Sequence, residues 1–213
     1  MKLVCISDTH GDHAKVSLPA GDVLIHAGDI TGHGTEEDFL DFLAWFESQP
    51  HPHKIFIAGN HDWFLETSMK AAKNFVEEAN VIWLNDSGIN LNGVNFWGSP
   101  ITLQFHNWAF MRNAGSDIAE HWKLIPENTD VLITHGPPHG ILDLVKRADG
   151  SEDLTGCPQL LESILATQPK VHIFGHIHEE FGVLVHEGIE FLNVSTMNQS
   201  YAIANEPVVY ELL

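Results

Sequence analysis

Apolar residues fall along this chain in short runs rich in β-branched side chains, a length and composition that mark buried strands rather than helices. Such runs cover residues 3–7, 23–26, 55–58, 81–84, 131–134 and 171–174. Two further pairs of segments flank turn residues. Residues 89–91 and 94–97 enclose Asn92-Gly93, the strongest short hairpin signal, because a type I′ turn needs positive φ at both central positions. Residues 181–186 and 189–194 enclose Glu187-Gly188, and residues 208–212 form a last strand. Between the strands the apolar period lengthens to that of a helix. Thr35 as N-cap, with Asp38 at the third helical position, introduces Phe39, Leu43 and Phe46 on one face. A second helix is expected from about Thr67 through Met69, Ala72, Phe75 and Val76, and a third from Asp117 with Glu120 in capping-box register. A fourth is expected from near Pro158, turning Leu160, Leu161, Ile164 and Leu165 inward. Strands alternating with helices call for parallel sheet covered by helices, whereas the hairpins call for antiparallel strands. Two mixed β-sheets packed face to face, with helices on their outer faces, satisfy both demands in an α/β fold.

The 213 residues fit a single domain, 1–213, without a repeat, a low-complexity tract or a long linker. No apolar run approaches the roughly 20 residues that span a bilayer, and Lys2 leads straight into a strand with no signal-peptide apolar region, so a cytoplasmic protein with no membrane partner is expected. Cys5 and Cys157 are the two cysteines, expected as buried free thiols. A formal net charge of -19 repels nucleic-acid phosphates, which argues against an RNA nuclease and against a stable nucleic-acid complex. A small anionic substrate then needs a local source of positive charge. Fifteen histidines exceed what a core of this size requires and point to a metal site. Nothing in the pattern fixes an oligomeric state.

Ligand-type residues cluster where the strands end. Asp8-Thr9-His10, Gly28-Asp29, Gly59-Asn60-His61-Asp62, His135-Gly136 and Gly175-His176-Ile177-His178 each follow a predicted strand. Ligands of α/β sheets bind beyond the carboxyl ends of the strands, so the five loops converge on one crevice. Two carboxylates, one amide oxygen and four imidazoles suit Mn, Fe, Zn or Ni, not calcium or an iron–sulfur cluster. Two dications against two carboxylates leave a surplus of positive charge, which draws phosphate despite the acidic surface.

The order Asp-x-His, Gly-Asp, Gly-Asn-His, His-Gly, Gly-His-x-His resembles that of the calcineurin-like metallophosphoesterase superfamily. Gly98-Ser99-Pro100, Asn107-Trp108-Ala109-Phe110, Thr134-His135-Gly136-Pro137-Pro138, Gly156-Cys157 and Phe174-Gly175-His176-Ile177-His178-Glu179 extend the resemblance to its branch of metallophosphoesterase-domain-containing proteins. The resemblance implies a four-layer αββα sandwich and phosphodiesterase activity, including on 2',3'-cyclic nucleotides and aryl phosphodiesters. It also implies that Asp8, His10 and His178 hold one divalent ion, that Asn60, His135 and His176 hold another, and that Asp29 bridges them. A water acidified between two ions roughly 3.5–4 Å apart then attacks phosphorus in line with the leaving oxygen. His61 matches the family histidine that is not a ligand and faces the leaving group, as general acid or as charge stabiliser. Some relatives carry glycine where His176 stands, with weaker metal binding implied; this chain keeps the histidine. Manganese is the favoured ion, and a small phosphodiester or nucleotide the favoured substrate. A phosphomonoesterase and a metal-binding interaction scaffold are the alternatives, and a scaffold has no need of His61.

Other residues carry weaker signals. Asp12 and Asp62 are candidates to hold an imidazole, with helix capping an equal reading of Asp62. His26 and His172 lie inside strands and read as hydrogen-bonded core histidines, His51 and His53 as solvated loop residues. His33, His106 and His139 lie in loops expected to rim the crevice, and Arg112 is a candidate phosphate clamp; with Asn60 and His61 they form the expected substrate-binding set. Phe105, Trp108 and Phe110 read either as a surface for a nucleobase or as the core of an irregular loop.

Overall fold

A computed structural model describes residues 1–147 and 149–213. The first sheet has strand order Val208–Glu211, Lys2–Ile6, Val23–Ala27, His53–Ile57, Ile82–Trp83. All but Val208–Glu211 run parallel. The second has order Gly182–His186, Ile189–Asn193, Val171–Phe174, Val131–Thr134, Val94–Ser99, Ser87–Leu91. Its four central strands are parallel, and a hairpin adds an antiparallel strand at each edge.

Successive side chains of a strand point to opposite faces, and that alternation builds the layers. Leu3, Cys5, Ile25 and Ile55 of the first sheet share one core with Val131, Ile133, Val171 and Ile173 of the second. Their neighbours Val4, Leu24 and Phe56, with Leu132 and Phe174, belong to a core that takes in the helices. The result is helix, sheet, sheet, helix. Both cysteines are buried and free.

The helix Glu36–Ser48 begins as the sequence predicts. Thr35 Oγ1 accepts the Asp38 N–H at 3.1 Å, and the Asp38 carboxylate accepts the Thr35 N–H at 3.4 Å. Phe42 joins Phe39, Leu43 and Phe46 in the core. Pro158–Thr167 begins where expected, capped by the Cys157 thiol, with Leu160 and Ile164 inward but Leu165 at the surface. The helix expected from Thr67 is instead two, Trp63–Thr67 and Met69–Glu78, because Ser68 leaves helical geometry at φ -123. The third, Ser116–Trp122, starts from Gly115 at φ 88, and Asp117 lies inside it, accepting the Asn113 N–H at 2.9 Å; no capping box forms. Both hairpin turns have positive φ at their central pair, Asn92-Gly93 and Glu187-Gly188. His26 and His172 pair with the hydroxyls of Thr9 and Thr134 at 2.9 and 2.8 Å, and burial lowers both pKa values to about 3, so both are neutral. His51 is buried rather than solvated, because its loop folds back and sets Nε2 2.9 Å from Pro19 O. Among the described residues no helix is long and apolar enough to cross a membrane.

Thr35→Ala removes one cap far from the strand-end loops. We predict a loss of about 1 kcal/mol, read as a fall of roughly 2–4 °C in Tm, with restoration by Thr35→Ser and unchanged metal content.

Candidate metal centre

The two parallel regions direct their carboxyl ends to one edge of the sandwich, and there the chain turns sharply. Asp8, His10, Asp29 and His176 adopt φ values of 54°, 43°, 53° and 71°. Such backbone is uncommon outside glycine and costs on the order of 1–3 kcal/mol per residue. It redirects side chains that a straight strand would send to alternate faces. Glycine lets the loops close over them. A Cβ on Gly59 would collide with the amide and carboxylate of Asp29, and one on Gly175 with the carboxylate of Asp8 and the hydroxyl of Ser7.

The candidate ligands meet in three overlapping groups, and Asp29 belongs to two of them, with His10 and His61 on one side and with His135 and His176 on the other. Asp29 Oδ1 lies 3.3 Å from His135 Nε2, and its Oδ2 3.7 Å from His10 Nε2. Asn60 Oδ1 is 2.9 Å from His135 Nε2, and His176 lies beside His135 with ring centroids 5.0 Å apart. On the other side His178 Nε2 is 3.6 Å from Asp8 Oδ1. Donor atoms of Asp8, His10 and His178 lie within 4.8 Å of one another, as do those of Asp29, His135 and His176. The far nitrogens are tied down: His178 Nδ1 donates to Asn198 O at 3.1 Å and His135 Nδ1 to Ala27 O at 3.0 Å. Each bond keeps a proton on Nδ1, so that Nε2, once deprotonated, turns its lone pair inward. Asp8 is fixed by the Ser195 hydroxyl at 2.7 Å and by the His176 N–H.

Electrostatics decide what this arrangement can hold. Burial opposes ionisation of Asp8 and Asp29, yet His178 beside the first and His135 beside the second keep both below the usual carboxylate range. Burial alone would lower His135, but the Asp29 carboxylate raises it to about 9. Burial, aided by His135, lowers His176 to about 4, leaving a neutral imidazole. The buried His10 Nε2 has no hydrogen-bond partner. A pocket with two ionised carboxylates, an orphaned imidazole nitrogen and a mixed oxygen–nitrogen donor set fits divalent transition-metal ions, which satisfy the charge that His135 otherwise meets with a proton.

Asp62 plays neither role read from the sequence. Its carboxylate accepts the N–H groups of Gly59, Ile30 and Thr31 at 2.7, 3.2 and 2.9 Å and the Thr31 hydroxyl at 2.6 Å. It therefore ties the loop of Asp29 to the loop of Asn60. Burial first, then the Asp29 charge, pushes its pKa up to about 6 against these donors. Asp12 pairs instead with Lys15 at 2.7 Å, at the surface.

Over the centre opens a cavity of about 580 Å³, bordered by Asp29, Asn60, His61, His176 and His178 and walled by residues that include Phe105, His106, Trp108 and Tyr201. The His61 ring stacks on Trp108, centroids 4.5 Å apart at 24°, and meets His10 edge-on at 4.5 Å. Of the other expected substrate residues, His106 lines the cavity and three do not. His33 is exposed and faces Asp38, and His139 faces Asp143. Arg112, in a short strand paired with Thr102–Leu103, turns to Met111 O, His121 and Glu66. Arg147 reaches the cavity instead, with its Nε on Asp153 at 2.7 Å. Phe110 is core, whereas Phe105 is exposed. Ser195, Asn198 and Tyr201 also reach the site but belong to no ligand motif; their one signal in the sequence is their place after Ile189–Asn193, another parallel strand ending at the same edge.

The profile of one family, described as calcineurin-like phosphoesterase, matches residues 1–180. The chain is 36% identical to human "Metallophosphoesterase domain-containing protein 1", over 99% of this chain and 71% of that protein. It is 38% identical to "UPF0046 protein K07C11.7" of Caenorhabditis elegans, over 99% and 74%. Among solved structures, TT1561 of Thermus thermophilus shares the fold with a TM-score of 0.62 at 12% identity, over 90% of this chain and 88% of that one.

Because one carboxylate faces ligands on both sides, Asp29→Asn is expected to lower the metal content of the purified protein more than Asp8→Asn does. Two ions per chain in Asp29→Asn, measured by elemental analysis, would remove Asp29 from the bridging position.

Proposed function

The chain belongs to the calcineurin-like phosphoesterase family, and on that premise we propose that it hydrolyses phosphodiester bonds of small molecules, with 2',3'-cyclic nucleotides and aryl phosphodiesters as favoured substrates. Metal-dependent phosphoester hydrolysis is the activity of the family. The choice of diester over monoester rests on the charge of the cavity. Among the described residues that line it, Arg147 is the one guanidinium or ammonium group, and it is already paired with Asp153, while Glu179 adds a negative charge. A monoester dianion needs more compensation than a diester monoanion, and aromatic walls suit a second organic group.

In this reading Asp8, His10 and His178 hold one ion, Asn60, His135 and His176 another, and Asp29 serves both; manganese suits the donor set. Bound ions polarise the phosphoryl group and acidify water. The protein's own work is positioning and proton transfer. The His61 N–H donates to Asp29 Oδ1 at 2.8 Å, and Nδ1 lies 3.4 Å from Gly32 O. With Nδ1–H committed to Gly32 O, the doubly protonated ring presents Nε2–H to the departing oxygen and, on giving up that proton, becomes the neutral Nδ1–H tautomer. Stacking on Trp108 keeps the ring in that orientation.

Chelation should abolish hydrolysis, and Mn²⁺ should restore it best among Mg²⁺, Ca²⁺, Mn²⁺ and Zn²⁺. Rates on an aryl diester, an aryl monoester, and 2',3'-cyclic and 3',5'-cyclic nucleotides decide the substrate class; a faster monoester would make the protein a phosphomonoesterase.

His61→Ala separates proton transfer from metal binding. It should keep both ions and a normal Tm, yet slow hydrolysis of a 2',3'-cyclic nucleotide on the order of 10²–10⁴-fold. The deficit should be smaller for p-nitrophenyl diesters, whose leaving group needs no proton. Equal deficits would make His61 a charge stabiliser, and no deficit on either would favour the scaffold alternative.

A further inference from the structure

Two large aromatic rings beside the centre have no role in the core. Phe105 is 52% and Tyr201 56% exposed, whereas Phe110 and Trp122 nearby are 2% and 1% exposed. Both exposed rings line the same cavity. The Phe105 ring centroid lies 5.6 Å from that of His176, in the group around Asp29 and His135. The Tyr201 ring lies 5.0 Å from His10 and 5.0 Å from His178, in the group around Asp8. One ring thus stands beside each half of the centre.

Tyr201 is held there at a cost. Its φ is 55°, backbone that a bulky side chain seldom adopts and that Asn or Gly would tolerate better. Asn198 builds the turn: its O accepts the Tyr201 N–H at 2.9 Å, and its Oδ1 accepts the N–H groups of Ser200 and Ala202 at 2.9 and 3.3 Å. The same Asn198 O receives His178 Nδ1. The turn that orients a candidate ligand also presents the ring. On the other side, Gln104 braces the loop of Phe105, its N–H on Arg112 O at 2.9 Å and its amide on His106 O at 3.1 Å.

An acyclic phosphodiester carries two organic groups that diverge from phosphorus, whereas a 2',3'-cyclic nucleotide carries one. We propose that Phe105 and Tyr201 are paired specificity-determining residues, each able to stack on one such group, so that an acyclic diester with a planar aromatic or heterocyclic ring on both sides engages both and a 2',3'-cyclic nucleotide engages one. The inference rests on the diesterase reading of the same site. The cavity volume of about 580 Å³ falls inside the range of about 300–1,000 Å³ usual for small-molecule sites, well beyond what a phosphate group fills.

The test is the apparent affinity of the manganese-reconstituted protein for diphenyl, methyl phenyl and dimethyl phosphate, read as KM for the phenyl esters and as inhibition of p-nitrophenyl diester hydrolysis for dimethyl phosphate, with metal content measured for every variant. Phe105→Ala and Tyr201→Asn should each weaken diphenyl phosphate roughly tenfold, within the range known for aromatic stacking, and the double variant roughly a hundredfold. Dimethyl phosphate affinity should not change. Asn is chosen at 201 because it accepts the positive φ, and Tyr201→Phe should retain wild-type affinity. Equal losses on diphenyl and dimethyl phosphate, no loss on diphenyl phosphate, or loss of metal from either variant would overturn the proposal. Failure of the diesterase reading looks different: the wild type would bind none of the three diesters, and both proposals would fall together.

Discussion

Asp8 and Asp29 are buried beside one another, 0% and 2% exposed, where parallel strands from both sheets end. Two like charges withdrawn from water repel each other and lose hydration, so a fold that keeps both ionised must supply positive charge within a few ångströms. That requirement explains the rest of the site. It accounts for the imidazoles facing each carboxylate, the backbone N–H and hydroxyl groups donated to Asp8, and the rise of His135 to about 9. It also bears on how a chain of net charge -19 would take the anionic substrate proposed: cations held at the centre would supply a local attraction.

Holding this charge pattern costs conformational energy, and the sandwich offsets it. Four ligand-type residues carry positive φ, each costing on the order of 1–3 kcal/mol. They persist because the strands behind them are fixed on both faces, toward the second sheet and toward the helices. Asp62 contributes directly by joining the Asp29 and Asn60 loops through four donors. The segment after Ile189–Asn193 does the same for the other half, through Ser195 on Asp8 and Asn198 on His178. Rigid strands and strained turns together set the donor atoms before any ion arrives, which is the physical content of a preorganised site.

Most of this was legible in the sequence wherever a local signal has one physical meaning. Asn92-Gly93 specifies a hairpin because both residues accept positive φ, and Thr35 with Asp38 specifies a helix start because each satisfies the other's backbone. The ligand-type residues were legible because they end strands in a set order. Legibility failed where the deciding contact is distant in the chain. Asp62 resembles a cap, yet its partners are Ile30 and Thr31. Arg112 and Arg147 are equivalent as letters; a two-residue strand turns the first away, and the chain after Leu144–Lys146 carries the second to the cavity. Tyr201 and Asn198 carry no motif at all, and their roles emerge only when the last parallel strand delivers them beside His178.

In the proposed centre Asp29 stands between two metal ions, one held with Asp8, His10 and His178, the other with Asn60, His135 and His176. Anomalous scattering from crystals of the manganese-loaded protein tests this arrangement most directly. Two manganese peaks roughly 3.5–4 Å apart are expected, each within coordination distance of a different Asp29 carboxylate oxygen or of one shared oxygen. A single peak, or two peaks of which only one touches Asp29, would contradict it.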